Sequence, residues 1–122
     1  MNACKWKPGQ VTLYTGEQVL ETSEAWRAEC EARYVLAKGH AERHDFLTLI
    51  GAKRGTEAVE RIRQHCLEVE PYFVLGLPNK RQRQHYIEQV ELRFGPNPRK
   101  ALEGKILAIH HARVAALDAL PA

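Results

Sequence analysis

Glu31-Ala32-Arg33-Tyr34-Val35-Leu36 and Glu70-Pro71-Tyr72-Phe73-Val74-Leu75 are two versions of one pattern, 39 residues apart. After one further residue, Arg43, Phe46, Leu47, Ile50, Lys53 and Gly55 align with Arg83, Tyr86, Ile87, Val90, Arg93 and Gly95 at an offset of 40. After three more, Ala58-Val59-Glu60 meets Ala101-Leu102-Glu103, and Cys66 meets Ile109. The insertions fall where turns are expected, which is where a duplicated fold tolerates them. Apolar spacing alone aligns any two amphipathic helix pairs to some degree. Val-Leu, then Arg-x-x-aromatic-aliphatic, then basic-x-Gly in the same order favours duplication. The unit is helix–turn–helix–Gly turn–helix, present twice.

Helical periodicity extends outward from these segments. Ser23 is an N-cap candidate with Glu24 against the positive end of the dipole, and Trp26, Cys30 and Tyr34 follow at i, i+4 and i+8 as the inward stripe. Gly39 breaks this helix. A second helix, about 41–54, points Phe46, Leu47 and Ile50 inward and stops at Gly55 as a C′ residue. Thr56 caps a third, with Val59, Ile62, Cys66 and Val69 inward, and Pro71 ends or kinks it. Asn79 and Gln82 resemble a capping box before a fourth helix, about 80–94, that buries Tyr86, Ile87, Val90 and Phe94. Asn97-Pro98 opens the last helix, about 98–118, with Leu102, Ile106, Ile109, Ala116 and Leu120 on one stripe.

Residues 1–22 follow a different period. Val11–Tyr14 and Gln18–Glu21 alternate around Thr15-Gly16-Glu17, a short β-hairpin pattern that must lean on the rest of the domain to persist. The expected fold is therefore mainly α, about five helices in two related helix-turn-helix units with a small N-terminal β-hairpin. It forms one domain over 1–122: a hairpin or arm at 1–22, unit one at 23–69 and unit two at 70–120.

Composition fits this reading. A chain of 122 residues, 44% hydrophobic and 27% charged, is ordinary globular material, neither disordered nor fibrous. Eighteen Lys and Arg against 15 Asp and Glu give +3, short of a polycationic nucleic-acid coat. Three cysteines without Cys-x-x-Cys argue against a disulfide framework and for a reducing compartment. Met1-Asn2-Ala3-Cys4-Lys5-Trp6-Lys7-Pro8 lacks an apolar signal core, and no apolar run reaches the length of a membrane span. The expectation is a soluble cytoplasmic protein with no membrane partner.

Trp26-Arg27, Glu29-Cys30-Glu31-Ala32-Arg33-Tyr34-Val35-Leu36, Arg43…Phe46-Leu47 and Lys53-Arg54-Gly55 carry a resemblance. They are similar to an uncharacterised family of small phage and prophage proteins, over about residues 11–67, with 70–110 a more distant copy. The linker Ala37-Lys38-Gly39-His40 departs from that family's Leu-Pro turn, which Leu77-Pro78-Asn79-Lys80 retains. The resemblance implies a bacterial or phage context and an accessory role. It transfers no activity and no functional residue.

Catalytic and metal-binding patterns are weak. His40 and His44 have a ligand spacing, but Glu42 is not adjacent to the first His as the His-Glu-x-x-His base must be. Cys30, His65 and Cys66 are further ligand candidates that no spacing brings together. Cys30 and Cys66 lie on apolar stripes, where a thiol behaves as a small hydrophobe. His110-His111 diverge by about 100° on a helix, and Cys66 beside His65 lacks a nucleophile's geometry. Gly104-Lys105-Ile106 is no phosphate loop. No enzyme activity, metal or cofactor is expected.

Basic residues carry the remaining functional reading. Lys80, Arg81 and Arg83 open the fourth helix, where the dipole disfavours cations, and Arg93 stands near its end with Arg99 and Lys100 beyond. Lys53-Arg54 and Arg61…Arg63 occupy related places in the first unit. Arg81 and Arg83 are expected to point outward. Interleaved Glu57, Glu60, Glu68, Glu70, Glu88 and Glu91 dilute the field, so a mixed solvated face competes with a binding face. Trp6, between Lys5 and Lys7, is either a lid on the core or an aromatic anchor for a partner. The function expected is a non-enzymatic protein-protein binding module, binding through Lys80, Arg81, Arg83, Arg93 and Trp6. The alternative is a nucleic-acid-associated protein using the Arg/Lys faces.

Overall fold

The structure, a computed structural model, describes residues 7–121. Trp6 and Cys4 lie outside them. Strands β1 (Gln10–Thr12) and β2 (Gln18–Leu20) precede helices α1 (Glu24–Leu36), α2 (His40–Arg54), α3 (Thr56–Leu75), α4 (Lys80–Phe94) and α5 (Pro96–Asp118). The fold is mainly α with a two-stranded antiparallel hairpin, Val11 opposite Val19. The chain forms two compact units, Met1–Val69 and Glu70–Ala122, with α3 contributing to both.

In the first unit the hairpin is tied down by one carboxylate. Glu29, only 2% exposed, accepts the Tyr14 backbone N–H at 2.5 Å on Oε1 and Arg33 Nε at 3.0 Å on Oε2. The Tyr14 hydroxyl donates to Glu68 at 3.0 Å, and its ring meets His65 edge-on at 5.9 Å. Ser23 caps α1 as expected, accepting the Trp26 N–H at 3.3 Å.

The face α1 buries is not the expected one. Ala32, Val35 and Leu36 are buried beside Glu29, whereas Trp26 is half-buried, Cys30 is exposed and Tyr34 is 56% exposed. Helical geometry places the two stripes on nearly opposite sides. Three contiguous aliphatic positions pack more closely than a stripe of bulky aromatics, so the smaller residues take the interior. Tyr34 instead meets Phe46 at 5.4 Å, with the Lys38 ammonium 4.4 Å above its ring. From α3, Ala58, Ile62 and Val69 complete the buried set, while Val59 and Cys66 are half-buried. Phe46, Leu47 and Ile50 of α2 are half-buried.

The second unit packs Val74, Val90 and Leu102 at its centre, with Leu77, Tyr86, Ile87 and Ile106 against them. Asn79 caps α4, its Oδ1 accepting the Gln82 N–H at 2.8 Å. Phe94 is not buried but 61% exposed, at the residue where Gly95 turns the chain away. Ala116 and Leu120 are exposed as well. The reason is length. With 15 residues α4 spans about 22 Å and with 23 residues α5 about 34 Å, so the end of α5 outruns its antiparallel neighbour. That helix begins at Pro96 with Gly95 as its N-cap, one turn position before the expected Asn97-Pro98 start. Pro71 neither stops nor bounds α3, which continues to Leu75 around it.

Gly55 and Gly95 are near-copies, at φ/ψ of 89°/168° and 95°/177°. Their N–H groups close α2 on Gly51 and α4 on Glu91 at 3.0 and 2.8 Å. Positive φ with extended ψ is open essentially to Gly alone, and it differs from the left-handed C′ conformation expected for Gly55. Nothing lies within 4 Å of a Cβ built at either site. Gly55→Ala and Gly95→Ala are thus expected to cost about 1–3 kcal/mol each, purely as backbone strain. Gly104→Ala, at an open site inside α5, should instead stabilise by about 0.5–1 kcal/mol. Urea melts of the three variants give the comparison, and equal effects at Gly95 and Gly104 would contradict the strain assignment.

Candidate functional site

The expected binding residues of α4 do not form one patch. Lys80 and Arg81 are exposed in the first turn, where α4 has no acidic residue, and neither has an ion-pair partner among the described residues. Arg93 is exposed at the other end of α4, about 20 Å away along the helix. Arg83 does not point outward. It is half-buried, and its Nη1 donates to the Leu77 carbonyl at 3.1 Å.

Arg43, its counterpart in the repeat, donates from Nε to the Lys38 carbonyl at 3.0 Å and from Nη2 to the Leu36 carbonyl at 2.7 Å. The Leu36 carbonyl at the end of α1 lacks an intrahelical donor, and Lys38 and Leu77 lie in the linkers beyond α1 and α3; these guanidinium groups supply the hydrogen bonds. Both arginines are structural staples, which is why they recur. Arg99 is also engaged, bridging Glu91 at 2.5 Å and Glu103 at 3.1 Å. These carboxylates, Glu91 first, hold its guanidinium above the usual arginine range.

A cleft of about 510 Å³ opens in the first unit between α1 and α3. From α1 it is lined by Glu24, Arg27, Ala28, Glu31 and Ala32, and from α3 by Ala58, Arg61, Ile62 and His65. Arg54, at the end of α2, closes one side by pairing with Glu31 at 3.1 Å. Helical spacing explains the lining. Arg27 and Glu31 stand four apart on α1, as do Arg61 and His65 on α3, so each pair shares one face. The floor is small and apolar, the rim charged.

Arg27 and Arg61 make no ion pair or hydrogen bond among the described residues, and both are exposed. His65 has its Nδ1 3.6 Å from Glu68, while its Nε2 is buried without a hydrogen-bond partner. That convergence was not evident from spacing along the chain. The usable signal was the pair of i, i+4 placements, Arg27/Glu31 and Arg61/His65, on two helices separated by α2.

The remaining sequence candidates stay apart. Among the described residues no three His, Cys, Asp or Glu side chains converge as metal ligands. Cys30 is exposed and Cys66 donates weakly to the Ala32 carbonyl at 3.8 Å. The His110 and His111 rings lie 6.2 Å apart and are exposed. No described helix is long and apolar enough to cross a membrane.

With this geometry in view, the chain is similar over residues 19–70 to a family of unknown function, DUF7696. That segment contains every residue lining the cleft. No curated protein and no solved structure matches the chain.

Proposed function

We propose that the protein is a non-enzymatic binding module, of the kind encoded by phage and prophage accessory genes, that acts by docking a helix of a partner protein. The observation carrying this reading is the end of α5. Leu107, Val114 and Leu117 are 55%, 41% and 67% exposed. With His110 they fall at i, i+3, i+7 and i+10, the seam that helices use to pair. The strip runs from Leu107 onto the part of α5 that outruns α4 and is apolar where a solvated helix is expected to be polar. The exposed Cys30 thiol fits action in a reducing, cytoplasmic setting.

Lys80 and Arg81 favour a second reading, contact with nucleic acid, because uncompensated cations in a first turn oppose the helix dipole. One experiment separates the two. A photo-crosslinker at Val114 in cells is expected to trap a protein, nuclease treatment leaving the adduct intact. Leu107→Glu with Leu117→Glu should abolish the adduct without lowering helicity, while Lys80→Ala with Arg81→Ala should leave it. An adduct indifferent to the α5 changes would exclude the strip as the binding face. Salt-sensitive DNA or RNA binding lost with Lys80 and Arg81 would favour the second reading instead.

A further inference from the structure

The cleft of the first unit has an internal standard in the second copy of the repeat. Burial aligns Ala58 and Ile62 with Leu102 and Ile106 at an offset of 44, one residue more than the sequence alignment suggested. Measured from Gly55 and Gly95, α5 carries one additional helical turn before its first buried residue. On this register His65 corresponds to Ile109 and Arg61 to Lys105, while Arg54 corresponds to Phe94.

On this register Leu102, 4% exposed, aligns with Ala58, 1% exposed. The polar partners have been exchanged too. Glu70 accepts the Tyr86 hydroxyl at 2.5 Å, but the first unit has Phe46 at the Tyr86 position, and the corresponding Glu31 binds Arg54. With Glu31 occupied, Arg27 and Arg61 face the same opening with no counterion among the described residues. Three Arg against two Glu leave the lining positive.

We propose that this cleft binds a small organic oxyanion, a carboxylate or phosphate ester on a slender apolar body. Arg27 and Arg61 hold the oxyanion, and the body lies against half-buried Ala28 and the edge of Ile62. A guanidinium pair matches the planar, multidentate geometry of such groups. The volume lies in the range of small-ligand sites, which combine an apolar lining with a few placed polar groups. His65 Nε2, a buried nitrogen without a partner in a residue of the cleft wall, is the type of atom a bound ligand or its water satisfies. This proposal is independent of the α5 strip, since the two sites share no residue.

The test is an NMR titration of the full chain with inorganic phosphate, acetate and butyrate at constant ionic strength. Arginine Nε and His65 ring signals are followed. Saturable shifts at Arg27, Arg61 and His65 are expected, with a dissociation constant of about 1 mM or below for the best probe. Butyrate saturating about tenfold more tightly than acetate would identify a carboxylate head with its tail on the apolar floor. Saturation by phosphate alone would identify a phosphate ester. Arg61→Gln and Arg27→Gln, at exposed positions, should each weaken binding at least about tenfold while leaving helicity intact. Ala58→Leu, which borrows the second unit's residue, should abolish it. Non-saturating shifts with all three probes, or saturation unchanged in both Arg variants, would overturn the proposal whether or not Ala58→Leu folds.

Discussion

Leu102→Ala is expected to cost about 2–5 kcal/mol and to melt the second unit. Leu102 is 4% exposed and lies among Val74, Val90, Tyr86, Ile87 and Ile106, so its removal leaves a void that these larger groups cannot readily fill. The unit spans only residues 70–122, a size at which one core supplies little surplus stability. Amide exchange should report lost protection in α4 and the start of α5. Leu107→Ala, five residues further along the same helix but 55% exposed, should stay within about 0.5 kcal/mol. A Leu102→Ala cost below about 1 kcal/mol would mean that this centre is not where the unit is held together.

The second large effect is expected at Glu29. Replacing it with Ala orphans the Tyr14 N–H and removes the partner of Arg33, for a cost of about 2–3 kcal/mol. Arg33, 38% exposed, rehydrates readily and contributes the smaller share. The distinctive consequence is local. Amides of β1 and β2 should exchange freely while α2 keeps its protection, because Glu29 ties the hairpin to α1. Glu29→Gln retains an acceptor for Tyr14 and should lose about half as much. Unchanged exchange at Tyr14 in the Ala variant would show that the hairpin is held by the Tyr14 ring contacts instead.

Much of this architecture was legible because turns announce themselves chemically. Ser23, Asn79, Gly55 and Gly95 each mark a helix boundary through a cap or a positive φ that few residues satisfy. The Gly95 boundary was displaced from Asn97 because Pro is equally at home in the first positions of the helix. Faces were harder to read. On α1 the i, i+4, i+8 stripe of Trp26, Cys30 and Tyr34 was read as inward, but the purely aliphatic Ala32, Val35 and Leu36 take the interior, a choice that depends on what stands opposite. The ends of α4 and α5 were misread for a related reason. Ala116 and Leu120 keep the apolar spacing, yet they lie beyond the length of α4, while Phe94 is exposed where the chain turns at Gly95.

The cleft was legible only as two i, i+4 pairs, Arg27/Glu31 and Arg61/His65. Its residues come from α1, α3 and the last position of α2, and nothing along the chain tells Arg61, which faces an opening, from Arg63, which pairs with Glu60 at 3.6 Å. Arg83 illustrates the reverse error. A cation in a first turn suggested a surface role, whereas the Leu77 carbonyl in the preceding linker takes its hydrogen bond.

The recurrence of that staple bears on how the two linkers have diverged. Most short connections close through their own residues, so their sequence is constrained by the turn they must form. Here the linkers' own N–H groups are joined by a side chain one helical turn into the following helix, Arg43 in the first unit and Arg83 in the second. Backbone carbonyls are present whatever residue carries them. The connecting segments are thereby released from a common vocabulary, and Ala37-Lys38-Gly39-His40 and Leu77-Pro78-Asn79-Lys80 share scarcely a residue while ending in the same clasp. What cannot drift is the distance the guanidinium must bridge. The requirement these joints place on the chain is span rather than spelling.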